Sequence, residues 1–435
     1  MESKNILINV IGAGLAGAEA SLYLASRGYK VNLYEQKPLK YSSAHHMDGF
    51  AELVCSNSLK NKNLDNACGL LKEEMKMFNS IMMEAASNCE VPAGNALSVD
   101  RDLFSQYITK KIKENDNITV YNEEVTKLKE GINMIATGPL TSEGLSNELS
   151  SILGEDFLYF YDAAAPIIEK DSIDMSICFM QSRYNQGDDS YINCPFTKEE
   201  YENFYHELIN GERAKLHEFD KVFESCMPIE VMARRGEKTL RYGPLKPKGL
   251  KKDGVTPYAV VQLRQDNVAG SLYNIVGFQT NLTYPEQKRI FSLIPGLQNA
   301  KFVRYGLMHR NTFVCAPKYL NKDFSLKTNP NVYIIGQLSG VEGYVESAMS
   351  GLLAAIYLDI RLQGKEFIRV PDETMMGSLV NYICNCSVKS FAPMNANFGI
   401  MFNRIDDRLK MANRSLEKLK EWKEKILWLM KKKII

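Results

Sequence analysis

The 435-residue chain has no stretch of about 18 or more apolar residues, so no segment reads as a transmembrane helix. Nor does it carry an excess of one charge. Fifty-three Lys and Arg stand against 52 Asp and Glu, a net +1 that excludes a globally basic nucleic-acid coat and confines RNA or DNA contact to local patches. No C-x-x-C occurs, and Cys384-x-Cys386 lacks a matching second pair, so no metal site is expected. The opening MESKNILINV lacks the layout of a signal peptide, because its apolar run leads straight into glycines. Nine cysteines, an odd number, without secretory features suggest a reduced, cytoplasmic setting. With 45% apolar and 24% charged residues, the chain is long enough for two or more globular domains.

What is present is organised around Asn5 to Glu35. Ile6, Ile8 and Val10 belong to an apolar run suited to a strand buried on both faces. Gly12, Gly14 and Gly17 follow in G-x-G-x-x-G spacing, helix formers run to Arg27, and a second strand (Lys30 to Tyr34) ends at Glu35. The glycines suit a tight turn, close approach of a pyrophosphate and close helix-on-strand packing. The amides of Gly12, Ala13, Gly14, Leu15, Ala16 and Gly17 are the expected phosphate cradle, and Glu35 the expected ribose acceptor.

Further along, a polar loop carries His45, His46, Asp48, Cys55, Ser56, Asn57 and Ser58, which reads either as a site or as a solvated connection. Cys55 alone reads either as a catalytic thiol or as an inert buried one. A helix begins near Ala67 and another near Arg101, capped by Asp100; Ile118 to Tyr121 is a strand. NMIATGPL runs a strand into a turn whose Gly138 lies close to the cofactor. YAVVQLRQDN and LYNIVGFQT form a hairpin around Val268-Ala269-Gly270. VRYGLMHRNTF places His309 after an apolar strand. A strand from Val332 to Ile335, then Gly336, Gly340 and Gly343, then a helix repeat the opening pattern. A second such helix start meets the flavin end of a dinucleotide, favouring FAD over NAD as the tightly held ligand.

Between Arg234 and Lys252 stand eight basic residues and one acid, Glu237, with Tyr242 among them. That suits phosphate and base contact, or a solvated Lys-rich loop. In the tail from Met401, Leu416, Leu419, Trp422, Ile426 and Leu429 recur at helical spacing within a net +6. This amphipathic helix either packs on the body or docks RNA.

Together IGAGLAGAEA, AHHMDGFAELVCSNSL, GLLKEEM, VPAGNALSVDR, IATGPLTS, LYFYDAAAPIIE, CMPIEVMARRG, VVQLRQDN, GFQTNL, MHRNTF, GVEGYVESA and PMNANFG resemble the folate- and FAD-dependent tRNA (uracil-5-)methyltransferase family, in one order from about residue 6 to about 400. Met47, Cys68, Asn95 and Lys248 depart from its pattern without touching the residues of interest. The resemblance implies an α/β fold: a Rossmann-like FAD-binding domain of glutathione-reductase type in two parts, 1–175 and 294–435, with an inserted α+β domain, 176–293, facing RNA. It implies methylation of uridine C5, in the T-loop of tRNA or alternatively in large-subunit ribosomal RNA, with carbon from 5,10-methylenetetrahydrofolate and electrons from NADH or NADPH through FAD. Neither a membrane nor an obligate protein partner is expected.

By motif, Cys226 is implied as the uridine nucleophile. Cys55 is implied as a second thiol, acting as acid/base or holding the flavin-bound one-carbon unit. His309 is implied to stack on the folate pterin, and Arg234 and Arg235, near Cys226, to contact substrate. Because the two cysteines fall in different expected domains, closure on RNA binding is expected. Two other readings are a related, characteristically longer flavoprotein acting on wobble uridines and a non-catalytic RNA-binding flavoprotein.

Overall fold

Four-residue strands with every residue buried, Ile8–Ile11 and Ile132–Ile135, form the centre of a five-stranded sheet. Burial on both faces is why they read as unbroken apolar runs rather than alternating ones. The computed structural model describes residues 6–431 apart from 155–157, 164, 186–188, 215–220, 223–226 and 307. The sheet order is Val332–Ile334, Ile132–Ile135, Ile8–Ile11, Val31–Glu35, Ile118–Asn122, and every neighbouring pair is parallel. This is the Rossmann-like α/β arrangement the glycine spacing predicts. Glu35 is the last residue of its strand.

The helix after the first strand, Leu15–Ser26, lies under a longer one, Tyr344–Leu362, which is buried without interruption from Val345 to Ile360. Neither helix is amphipathic, because each is covered on several sides. Their approach is set by Gly351: a Cβ there would stand 2.2 Å from the Ala16 carbonyl oxygen. The two helices therefore meet backbone to backbone, and both begin at the carboxyl edge of the sheet.

A second, six-stranded antiparallel-rich sheet has the order Phe179–Met180, Tyr191–Phe196, Ala259–Gln265, Leu272–Ile275, Ile167–Glu169, Phe302–Arg304. Its own apolar cluster includes Ile192, Phe204, Val261, Phe278 and Phe291. The hairpin around Val268-Ala269-Gly270 is present, with Leu263 opposite Ile275 and Gly270 at φ +64°. The expected range 176–293 needs correction at both ends. Ile168 pairs with Tyr273 and Phe302, so strands outside that range complete this sheet. At three residues each, these strands are too short to show a period.

Two other expectations are refined. Met308–Phe313, which follows the short strand Phe302–Arg304, is itself a strand, antiparallel to Leu158–Ala163 with His309 opposite Asp162. A short strand, Ser58–Asn61, interrupts the long polar loop and pairs with Ala96–Val99.

The tail helix, Arg408–Lys431, packs on the body through Leu419, Trp422 and Ile426. The Trp422 indole donates to the Ile368 carbonyl at 3.0 Å and meets the Phe78 ring edge-on at 5.6 Å. Its apolar face is therefore occupied by the protein itself.

Gly351→Ala should force the two central helices apart. Overpacking of this kind costs about 1–3 kcal/mol, and it displaces Ala16. We expect a lower unfolding temperature together with loss of retained dinucleotide, read as the visible absorbance per protein. A variant unchanged in both would mean the approach at Ala16 does not constrain the fold.

Candidate active site

Above the carboxyl ends of the parallel strands lies a cleft lined by Gly12, Ala13, Gly14, Leu15, Ala16, Glu35, Gly138 and Gly336. Gly12 has φ +99°, and a Cβ there would be 2.7 Å from the Ala136 carbonyl oxygen, so only glycine fits. Gly14 caps the first helix without a side chain, and the first turn holds no acid. Its amides are left to a ligand at the positive end of the helix. Gly17 stands behind the cleft, where a Cβ would be 1.9 Å from the Gly12 carbonyl oxygen. Its task is packing.

Glu35, 8% exposed, accepts from the amides of Ala13 (3.0 Å) and Lys37 (3.1 Å), which fixes its carboxylate at the rim. At the opposite end, Gly336 (φ +72°) donates its amide to Ser350 Oγ at 2.7 Å, tying the second glycine turn to the long helix. Gly343 (φ +119°) caps that helix, and the next residue, Tyr344, reaches the cleft. An uncapped helix start, a fixed carboxylate and a second glycine turn fit the pyrophosphate, ribose and ring end of FAD.

Cys55 meets this cleft through Tyr344. The phenol oxygen accepts from the amides of Cys55 (2.7 Å) and Ser56 (3.2 Å) and lies 2.9 Å from Cys55 Sγ. A phenol has one proton and two acceptor lone pairs. With both lone pairs taken by amides, its proton is directed at the sulfur. Burial, followed by the neighbouring Cys55, pushes the Tyr344 phenol well above its ordinary range, so it remains a donor at neutral pH. A hydrogen bond to sulfur favours the thiolate. Cys68, Cys89, Cys178, Cys194 and Cys384 are instead buried, the usual setting of an inert thiol.

Three arginines hold the loop around Cys55. Arg101 donates to the Leu53 carbonyl at 3.0 Å and pairs with Asp266 at 3.2 Å. Arg304 donates to the Val54 carbonyl. Arg264 donates to Asn57 Oδ1 (3.1 Å) and Ser56 Oγ (2.8 Å), while Asn57 donates to the carbonyls of Val99 and Gln265. Arg264 and Arg304 come from the second sheet, so the loop is strapped to both sheets. None of these arginines, nor Tyr344, stood out in the sequence. Arg101, Arg264 and Tyr344 lie in matched runs and Arg304 does not, and for each the partner is tens to hundreds of residues away.

His45 lines the cleft, with Nδ1 2.6 Å from Ser42 Oγ; burial lowers its pKa below the ordinary 6.5, although Glu52 opposes this. It is therefore a neutral ring rather than a cation near the thiol. Glu52 accepts from the amides of His46 (2.9 Å) and Met47 (3.1 Å) and shapes that turn.

Cys226 lies outside the described residues, as does the side chain of His309. Just beyond Cys226, Met227-Pro228 leads into the short helix Ile229–Ala233. Arg234 is exposed but donates to the Ile209 carbonyl at 2.6 Å, while exposed Arg235 borders an open basin with Met227, Met232, Lys238 and Tyr242. Among the described residues no group of three or more His, Cys, Asp or Glu could hold a metal ion.

A family model described as glucose inhibited division protein A matches residues 7–366. Similar proteins include the methylenetetrahydrofolate--tRNA-(uracil-5-)-methyltransferase TrmFO of Acetivibrio thermocellus, 56% identical over 430 residues, covering 96% of this chain and 99% of that protein. The protein of the same name from Ligilactobacillus salivarius is 53% identical over 427 residues, covering 96% and 98%. Among solved structures, Aquifex aeolicus GidA in its form II crystal matches with a TM-score of 0.68 at 17% identity, over 98% of this chain and 76% of that one. A likeness at that identity speaks for the fold alone.

Tyr344→Phe removes the proton directed at Cys55 Sγ. A hydrogen bond to a charged group contributes about 1.5–3 kcal/mol, or about 1–2 pH units. The pH profile of Cys55 alkylation, taken as the difference from a Cys55→Ala background, should move up by that amount. An unmoved profile would remove Tyr344 from the thiol's control.

Proposed function

The chain belongs to the glucose inhibited division protein A family and, within it, to the methylenetetrahydrofolate–tRNA-(uracil-5-)-methyltransferases, and on that premise we propose that it methylates C5 of the T-loop uridine of tRNA. The carbon donor is 5,10-methylenetetrahydrofolate. The FAD-binding part is of glutathione-reductase type, and the second sheet with its helices is an inserted α+β unit facing the RNA. The protein works in the cytoplasm.

C5 of uracil is a poor nucleophile until a group adds at C6. Cys226 supplies that group: its sulfur bonds to C6, ring electrons move to the O4 side, and C5 of the resulting enolate attacks the methylene carbon. The C5 proton then leaves to a base as the bond from the methylene carbon to the folate nitrogen breaks and tetrahydrofolate departs, and the S–C6 bond breaks when hydride reaches the methylene carbon. When bound, reduced FAD supplies the hydride that turns the methylene group into a methyl group, with NADH or NADPH as the source of electrons.

Cys55 is the candidate for the proton at C5. The observation that carries this reading is the Tyr344 phenol 2.9 Å from Cys55 Sγ, at the edge of the dinucleotide cleft. A thiolate held by a hydroxyl donor beside a redox cofactor suits proton transfer more than storage of a carbon unit. His309 stacks on the folate pterin, and Arg235 contacts the RNA backbone. Arg234 does so with the donors not engaged by Ile209.

Relatives at 52–56% identity carry names that specify tRNA, which favours tRNA over ribosomal RNA as substrate. Mass spectrometry of tRNA incubated with the protein, methylenetetrahydrofolate and NADPH should find 5-methyluridine without S-adenosylmethionine. Cys226→Ala and Cys55→Ala should each abolish it. Methylation confined to ribosomal RNA would overturn the substrate, and full turnover by Cys226→Ala would overturn the nucleophile.

A further inference from the structure

Tyr242 is 82% exposed, more than any other large apolar side chain among the described residues. It is not on a loose loop. It ends the short helix Thr239–Tyr242, whose Leu240 is fully buried in the second core. The Gly243 and Leu245 amides both return to the Leu240 carbonyl, at 3.1 and 2.9 Å, and the Val260 amide donates to the Leu245 carbonyl at 3.1 Å. The preceding helix, Ile229–Ala233, is fixed as firmly. The Ile229 amide donates to the Gln279 carbonyl at 2.7 Å, and buried Glu230 accepts from Thr280 Oγ1 (2.9 Å) and the Asn281 amide (2.8 Å). A large ring held out in water by a rigid support contributes little to the fold.

Four of the eight basic residues of this stretch have definite settings. Arg241 stacks on the Tyr258 ring at 3.6 Å and donates to its carbonyl at 2.8 Å, and Lys252 donates to the Ile177 carbonyl at 2.6 Å; these hold the fold together. Arg235 and Lys238 border the basin beside Tyr242, together with Met227 and Met232. The single acid of the stretch, Glu237, is not among the side chains lining it. An open basin with a flat ring, two soft methionines and cations of one sign matches a base with its flanking phosphates.

We infer that this basin seats an unpaired nucleobase of the RNA adjoining the target uridine, stacked on Tyr242 with Arg235 and Lys238 on the neighbouring phosphates. The inference rests on the RNA-methylation reading for its ligand and adds a recognition site one residue beyond the proposed nucleophile. Stacking on Tyr242 tolerates any base, while an ammonium and a guanidinium on phosphates make the affinity depend on salt.

The test uses the full-length flavin-loaded protein and a fluorescent T-arm stem-loop RNA, with flavin content and unfolding temperature as controls of folding. Tyr242→Ala should weaken RNA binding and raise the KM for RNA by roughly 10-fold or more, as expected for one lost stacked base. Tyr242→Trp should restore both. Lys238→Gln should lower the slope of log affinity against log salt by about 0.7–0.9. An alanine variant that binds RNA like the parent overturns the inference, as does a folded one that tryptophan does not rescue or one that loses only binding to a protein partner. Binding that depends on Tyr242 in a protein that transfers no methyl group upholds the basin and counts against the reaction instead.

Discussion

One phenol oxygen does three things at the centre of this molecule. Tyr344 accepts the amides of Cys55 and Ser56, faces the Cys55 sulfur, and opens the helix that runs back across the first helix to Gly351. The thiol's position is thereby set by the same helix whose start shapes the ring end of the cleft. Because Gly351 lies against the Ala16 carbonyl, that helix is also registered to the phosphate cradle. Cradle, ring end and sulfur thus form one rigid reference frame.

Buried carboxylates reinforce this frame across long stretches of chain. Glu19 accepts from Ser80, Ile81 and Met82 and so caps the helix Ile81–Asn88 from the first helix. Glu74 does the same for the helix Met375–Asn385, accepting from Met375 and Met376, and also meets Ser415 of the tail helix. Burial pushes both acids up to about 7, against the lowering effect of those donors. Each adds to a local cap, Ser80 or Thr374, a second one that only the complete fold can provide.

The legible parts of the chain are those whose physics is local. Gly12 to Gly17 with Glu35, the Asp100 cap, the Val268 to Gly270 hairpin and the apolar face of the tail helix all follow from spacing within a few residues. That Ile167–Glu169 and Phe302–Arg304 belong to the second sheet was hidden because their pairing spans more than a hundred residues and three residues show no period. Tyr344 and the three arginines were hidden for another reason. A polar residue's role is fixed by its partner, and the partners at Leu53 to Asn57 lie far away in sequence. The glycines of the cleft are visible because backbone strain is a property of one residue, whereas the setting of a thiol belongs to a neighbourhood.

The arginine straps have a consequence for how such proteins diversify. Arg264 and Arg304 belong to the second sheet, yet the groups they satisfy lie on the loop of Cys55. That sheet is therefore no interchangeable module. Putting a different unit in place of that sheet would strand the Val54 carbonyl and the Ser56 and Asn57 side-chain oxygens without donors, unless the replacement brought guanidiniums to the same two points. A change of target within this architecture is confined to the outer face of the existing sheet, while its inner edge answers to the chemistry.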